Sequence, residues 1–312
     1  MTGISFIVLN YNGENVLSGT LRSIEAERRP GDECIVVDNH STDQSRSVCQ
    51  RFPGVRFLSL AENRVLGAYN AGVQAAVHPW VCLLNNDIHI EKGFRDAAIR
   101  HVGDKRLFAA TAKILYPDKK TMETGYCRPS FNNFHFKYDI VGRGELASQY
   151  EQEMENFSAP MAGIFHREKY LELGGIDCLY FPAYWEEIDL AYNAWKRGWC
   201  VLFDPKMVAV HHHEDRIVKT HGAGKTVAAG ARNKILFVAK NIADRGLLFR
   251  FFIGWPAVFL AGTLRRGPWF AYGFFQAIPR LTNAWKRKKE MEKKRVLSDR
   301  EIFHRTHGMI RP

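Results

Sequence analysis

The sequence has no G-x-G-x-x-G turn and no Walker-type loop, so neither a dinucleotide fingerprint nor a P-loop is available to cradle a phosphate. It has no internal repeats, so no repeat architecture is expected. Its six cysteines (Cys34, Cys49, Cys82, Cys127, Cys178, Cys200) are scattered and form no C-x-x-C pair. That argues against a zinc site or a disulfide framework and favours a reducing compartment. Met1 to Asn10 carries no basic segment ahead of its short apolar run, and reads as a first strand rather than a signal peptide. Negative charge is also in deficit: 33 Asp and Glu against 44 Lys and Arg give a formal charge of +11. Nucleic acid is the first partner to test, but the aromatics near the basic residues form apolar helical blocks rather than stacking platforms. Much of the excess sits in Lys286–Lys289 and Lys293–Arg295, a placement that suits an anionic membrane surface or a phosphorylated ligand.

What remains is an ordinary globular balance, 46% hydrophobic and 25% charged over 312 residues, enough for one large α/β domain and an appendage. Ile4–Asn10 is a compact apolar run of the kind buried on both faces of a sheet. A helical pattern with Leu17, Leu21 and Ile24 on one face follows, ended by Pro30. Then come strand Glu33–Val37, helix Asp43–Phe52, strand Val55–Leu60, helix Val65–Val77 and strand Trp80–Leu84. Such alternation implies a parallel sheet wound by right-handed crossovers, with ligands beyond the carboxyl ends of the strands. Polar clusters fall at those ends: Asn10-Tyr11-Asn12, Asp38-Asn39-His40-Ser41 and Asn85-Asn86-Asp87. The stretch from Phe131 to Phe157 shows no period and reads as a surface loop. Helices are expected at Arg167–Leu173 and Glu187–Arg197, and a strand at Met207–Val210.

Five stretches, in order, carry a resemblance. They are Ile7 to Gly13, Ile35 to Asp43, Leu83 to Asp87, Gly174-Gly175-Ile176-Asp177 through Tyr184 to Leu190, and Pro205 to His211. Together they resemble the family 2 glycosyltransferases of the GT-A fold, in their rhamnosyltransferase-like branch. The resemblance implies a Rossmann-like, mostly parallel sheet flanked by helices, and an inverting transfer of a sugar from a UDP-sugar or dTDP-rhamnose type of donor to an acceptor hydroxyl.

Residue by residue, the resemblance places the base at Asp38 and lines its pocket with Asn10, Tyr11, Asn12, Asn39 and Ser41. A turn that caps the next helix explains the same Asp38 cluster locally. A departing diphosphate needs a hard cation, and hard cations want oxygen ligands. The family's D-x-D-like motif here reads Asn85-Asn86-Asp87, so Asp87 is the expected ligand of Mg²⁺ or Mn²⁺, with His211 completing the shell. In the run His211-His212-His213, strand alternation lets His211 or His213 face inward and turns His212 away. A displacement by a hydroxyl needs a general base. The family takes it from an acidic pair at a helix start, here Glu186-Glu187, with Glu187 in the usual place and Glu186 the alternate. Acids also favour a helix N-terminus for electrostatic reasons alone. Asn63 and Asn70, in a shortened version of the family's N-x-G helix entry, are candidate ribose or sugar contacts.

Gly246 to Trp285 is dense in Phe, Leu and Trp, but Arg250 and Pro256 interrupt its longest apolar run. It reads as interfacial helices lying on a membrane, followed by a basic tail; a helical cap or a homo-oligomer interface would use the same residues. The expected organisation is a catalytic domain over 1–244, with a nucleotide-sugar half at 1–115 and an acceptor half at 116–244, then an amphipathic tail over 245–312. The expected setting is peripheral, on the cytoplasmic face of the cell membrane, with a lipid-linked or surface-polysaccharide glycan as acceptor. The Asn at position 85 and the Glu at position 187 keep a second reading open: a catalytically silent nucleotide-sugar-binding or scaffold protein of the same fold.

Overall fold

The computed structural model describes residues 2–212 and 222–311. The chain divides into two compact units that interleave in sequence. The first takes 2–126, Ile140–Ile176 and 200–212; the second takes Cys127–Asp139, Asp177–Trp199 and 222–311. The tail expected at 245–312 therefore shares its unit with segments from the middle of the chain.

The first unit is built on one sheet. Its strands are β1 (Ile4–Asn10), β2 (Glu33–Asp38), β3 (Val55–Ser59), β4 (Trp80–Asn85), β5 (Ile88–Ile90), β6 (Leu107–Leu115), β7 (Met122–Thr124), β10 (Met154–Glu155), β11 (Gly163–His166) and β12 (Cys200–His211). The order is β10-β12-β6-β11-β4-β1-β2-β3, with β5 on β12 and β7 on β6. β1 pairs parallel with both β2 and β4, and β2 with β3. β11 runs antiparallel between β4 and β6, β6 pairs parallel with β12, and the edge strand β10 is antiparallel to β12. Central strands are apolar throughout because both faces are covered: Phe6, Ile7, Val8, Ile35, Val36 and Leu83 are fully buried.

Helix α1 (Leu17–Glu27) buries Leu17, Thr20, Leu21 and Ile24 at three- and four-residue spacing, as its sequence pattern dictates, and stops at Arg28, two residues before Pro30. α2 is shorter than its pattern suggests, Ser45–Cys49, because Asp43 and Ser45 are drawn into loop hydrogen bonds. The segment after β3 opens as a 3₁₀ turn, Val65–Ala68, and becomes helix α3 only at Tyr69–Ala75. α4 (Phe94–Ile99) and α5 (Arg167–Leu173) complete the unit.

The second unit holds α6 (Glu186–Lys196) and α7 (Ala223–Asn241), followed by α8 (Arg245–Ile253), α9 (Trp255–Arg266), α10 (Pro268–Ala277), α11 (Leu281–Glu292) and α12 (Asp299–Arg305). A small sheet joins them, ordered β13 (Met309–Arg311), β8 (Cys127–Asn132), β9 (His135–Ile140). The expectation of a loop from Phe131 to Phe157 is thus corrected. β8 and β9 flank a turn at Asn133, whose φ is +50°, and the outward residues hide the period-two pattern. Inward-facing Phe131 and Phe136 are fully buried, and Phe136 stacks on Phe237 of α7 at 5.3 Å. Among the described residues no single helix is long and apolar enough to cross a membrane. α8 and α9 pass that test only as a pair bent by 52°.

Candidate functional site

At the carboxyl ends of β1, β2 and β4, parallel register sets Asn10 beside Asp38 and Leu9 beside Asn85. Asn10, fully buried, donates from Nδ2 to Asp38 Oδ1 at 3.0 Å and to Ser41 Oγ at 3.2 Å, and accepts at Oδ1 from Asn86 Nδ2 at 2.7 Å. Gly13 is required next to this bond: a Cβ there would lie 2.1 Å from Asn10 Oδ1 and 2.2 Å from Asn86 Nδ2. The second oxygen of Asp38 accepts from the Ser41 amide at 3.2 Å. Asn12 accepts from the Thr42 amide, and its own amide donates to Ser41 Oγ. Asp43 carries three such bonds, from the Glu14 and Ser45 amides and the Ser45 hydroxyl; they outweigh partial burial and hold its carboxyl below the usual range. The local turn reading of this cluster and the binding reading therefore coexist. The turn is what fixes Asp38 in place.

The remaining asparagines divide by what occupies their amides. Asn39 is buried and reaches Asn63 Oδ1 and the Val65 carbonyl, while accepting from the Arg64 amide. Asn63 is exposed and accepts from the Val65 amide. Asn70 brackets Ile176, donating to its carbonyl at 3.0 Å and accepting from its amide at 2.9 Å, with Tyr170 as a third partner. Asn85 accepts from the Tyr69 hydroxyl at 2.8 Å. Tyr11 and Asn12 are the more exposed members of the cluster at the end of β1.

Asp87 lies in the turn between β4 and the short β5, which pairs antiparallel with the end of β12, His211 opposite Ile88. The His212 amide donates to the Asp87 carbonyl, locking the register. That pairing brings His211 Nε2 to 3.4 Å from Asp87 Oδ1, and Glu123 of β7 holds His211 Nδ1 at 3.0 Å from both its oxygens. Burial alone would lower the His211 pKa, but the two carboxylates reverse the sign and push it up to about 10. The donor set fits a divalent cation. Two ligand atoms each about 2.1 Å from one ion stand roughly 3 Å apart, and a carboxylate behind the imidazole is the usual orienting partner. His212 faces the other way and stacks on His89, centroids 4.1 Å apart; His213 lies outside the described residues. Glu123 was invisible to motif reading. Its only sequence signal is an acid in the apolar setting of a short strand, where a buried carboxylate requires a partner.

A second group, His101, Glu153 and Asp204, also places three donor atoms within 4.8 Å of one another. There a cation is already supplied. Arg100 reaches Asp204 at 2.7 Å and Glu153 at 3.4 Å, and His101 bonds the same Asp204 oxygen.

In the second unit, α6 starts directly after two residues in the left-handed region, Tyr184 (φ 74°) and Trp185 (φ 79°). Non-glycine residues there cost on the order of 1–3 kcal/mol each and persist only when their surroundings over-determine them. Here Asn233 of α7 donates to the carbonyls of Tyr180, Ala183 and Tyr184, Arg232 to that of Phe181, and Trp185 packs on Phe237 and Phe136. The helix is pinned a second time. Lys240 lies 2.7 Å from Asp177 and 2.6 Å from Asp189, all three nearly inaccessible, and Tyr180 and Asn241 complete the Asp189 shell. Sequence reading passed over Asn233, Lys240 and Asn241, although polar residues on the buried side of a long helix are a signal.

The result is Glu186 buried and Glu187 half-buried at a helix N-terminus. Burial first, then the charge of Glu187, push the Glu186 carboxyl up to about 8. Within the pair the proton is therefore favoured on Glu186.

The model of the family described as glycosyl transferase family 2 matches residues 5–160. An N-acetylglucosaminyl-diphospho-decaprenol L-rhamnosyltransferase of Mycobacterium tuberculosis is 26% identical over 287 residues, covering 83% of this chain and 88% of the relative. Among solved structures, TarS residues 1–349 of S. aureus in complex with UDP-GlcNAc has a TM-score of 0.58 at 15% identity, covering 97% of this chain and 91% of that one. GalNAc-T7 with UDP, GalNAc and Mn²⁺ has a TM-score of 0.61 at 14% identity, covering 94% and 56%. The matched segment spans β1 through β10 and includes Asp38, Asp87 and Glu123, and with the sheet order described above it makes this chain a member of glycosyl transferase family 2, with a GT-A fold and rhamnosyltransferase-like relatives.

Proposed function

We propose that this protein transfers a sugar, with inversion, from a nucleotide-diphosphate donor of the UDP-sugar or dTDP-rhamnose type to a hydroxyl of a lipid-linked or surface-polysaccharide glycan. The observation that carries the proposal is the convergence of Asp87, His211 and Glu123 beside the strand ends that hold Asp38. Asp38 accepts from the donor's base, in the pocket lined by Tyr11, Asn12 and Ser41. Asn10, Asn39, Asn63, Asn70, Asn85 and Asn86 build and support that pocket through the bonds described above. Asp87 and His211 would hold Mg²⁺ or Mn²⁺, whose charge offsets that of the departing diphosphate.

Glu187 is the base. Burial and the neighbouring charge favour the proton on Glu186, which assigns the role of base to Glu187. The acceptor oxygen bonds to the anomeric carbon, the bond to the diphosphate oxygen breaks, and the proton passes to the Glu187 carboxylate. The name of the mycobacterial relative, with its diphospho-decaprenol acceptor, supports the acceptor class. Peripheral membrane association is supported by α9, which buries no residue, and by Phe249, Leu260, Leu264 and Phe275, all more than half exposed. Such a protein would meet cytosolic donor and lipid acceptor at the inner face of the membrane.

The test is a thermal-shift panel of UDP-sugars and dTDP-rhamnose with and without Mn²⁺, followed by NMR of the product. One donor should stabilise the fold in a metal-dependent way, and the new linkage should have the inverted anomeric configuration. Retention at the anomeric carbon would overturn the role of Glu187, and the absence of any nucleotide-sugar binding would overturn the whole reading.

A further inference from the structure

The second unit contains a long groove of about 1110 Å³ that the transfer chemistry does not use. This is at or above the upper end of the range for small-molecule sites, about 300–1,000 Å³. One side is the β8–β9 turn together with Tyr184 and Trp185, and the other is formed by α8, α9 and α10 through Phe251, Trp255 and Phe270. The floor is one face of α7, where Thr226, Gly230 and Lys234 follow at four-residue spacing. Gly230 is unusual there. A mid-helix glycine costs about 1 kcal/mol relative to alanine, yet a Cβ at this position would meet nothing within 4 Å. Leaving it out keeps the groove wide.

The lining is mostly apolar, with Asn132, Asn133 and Thr226 among its few polar members, and its Lys, Arg, Asp and Glu charges are of one sign. Lys137, Lys234, Arg265 and Arg266 line the groove, and no Asp or Glu does so among the described residues. Lys137 has an exposed partner in Asp139; among the described residues no carboxylate pairs with Lys234, Arg265 or Arg266. Burial, then the charges of Arg266 and Lys137, bring the Lys234 pKa down to about 8. The indole nitrogen of Trp255, on the groove wall, is buried without an acceptor among the described residues. An apolar trough with unpaired cations and an unused donor matches a ligand with a long hydrocarbon chain and a multiply charged anionic head. A phosphodiester lipid carries one negative charge, whereas a diphosphate diester carries two. Tyr184 and Trp185 line the groove, and the next two residues are Glu186 and Glu187.

We propose that this groove seats the isoprenoid diphosphate that carries the acceptor glycan, with the hydrocarbon among the aromatics of α8–α10 and the diphosphate on Lys234 and Arg266. The proposal rests on the lipid-linked acceptor reading above and adds the place where the lipid binds.

Farnesyl diphosphate is a soluble probe. Titrated into the full-length protein and followed by tryptophan fluorescence and calorimetry, it should bind saturably, and farnesol and inorganic diphosphate should each bind at least tenfold more weakly. Lys234→Gln and Arg266→Gln should each weaken it about tenfold, and Gly230→Phe should abolish binding while circular dichroism and the melting temperature verify the fold. Gly230→Leu serves if the larger side chain is not tolerated. In transfer assays, Gly230→Phe should narrow the preference for a polyprenyl-diphosphate acceptor over a short-alkyl acceptor at least tenfold. Equal binding of farnesyl diphosphate to wild type and the folded variants would overturn the groove assignment. Failure of the transfer reading looks different: no nucleotide-sugar would bind, whatever farnesyl diphosphate does.

Discussion

Glu186 should make the protein less stable as the pH rises, and removing its charge should abolish that dependence. Its carboxyl titrates near 8 in the folded protein against an ordinary value of 4.5, because burial and Glu187 both disfavour the anion. Between those values the folded state holds a proton that the unfolded state has released, so stability falls with rising pH. The contribution is fully present below about pH 4.5, declines by about 1.4 kcal/mol per pH unit, and is exhausted once the pH passes 8. From pH 5 to pH 7 the loss is on the order of 2–3 kcal/mol, a large share of a typical stability of roughly 5–15 kcal/mol. Glu186→Gln keeps the shape and removes the titration. Its absolute effect mixes in a buried amide whose partners differ from those of the acid, so the informative quantity is the difference in slope. Urea unfolding of both proteins at pH 5, 6, 7 and 8 gives it directly. Wild type should lose on the order of 2–3 kcal/mol relative to the variant between pH 5 and 7. Parallel profiles would mean that Glu186 is hydrated or paired in solution, and would remove the reason for assigning the proton to it.

Lys240→Met leaves Asp189 buried without its cation, while Asp177 keeps only Arg287 at 2.7 Å, and should cost about 3–5 kcal/mol in urea unfolding. Burial raises the Asp177 carboxyl, but Lys240, the Leu179 amide and Arg287 together lower it, so its contribution is present above pH 3.8 and is lost as the pH falls below that value; the wild-type advantage over Lys240→Met should shrink in acid. Asp87→Ala should abolish metal-stimulated donor binding without unfolding the protein, and Glu123→Gln should weaken metal affinity about 10–100-fold by releasing His211; unchanged metal titrations would refute the site. Liposome flotation should show binding to anionic vesicles that high salt weakens only in part, and Phe249→Asp with Leu260→Asp should release the protein. Point substitutions are the proper test, since removing everything after Asp244 would also remove Asp299, which bonds Tyr192 at 2.6 Å and Lys196 at 3.0 Å. A full-length protein that ignores vesicles at low salt would assign those aromatics to a dimer interface instead.

The order of strands and helices in the first unit was legible from sequence because it depends on local pattern. β1 has the expected bounds, and α1 shows the expected buried face. The polar strand ends were legible for the same reason: a polar residue terminating a buried strand stands out against its neighbours. Glu186-Glu187 could be named as a pair, but the sequence could not say which of them holds a proton, because that depends on burial contributed by distant residues.

The sequence by itself determined the family and the parallel core, and it singled out Asp38, Asp87, His211 and the acidic pair as candidates, since each depends on residue type and spacing along the chain. Only the tertiary structure decided that Glu123 stands behind His211, that Asn233 and Lys240 hold the strained start of α6, and that the Phe131–Phe157 stretch carries strand β9 paired on β8, with Phe136 buried. It alone decided that the basic and aromatic residues of α7 and α9 face one groove. The physical reason is the same in each case: the partners are tens of residues apart, and their pKa values, strain and charge balance arise from contacts that do not exist until the chain has packed.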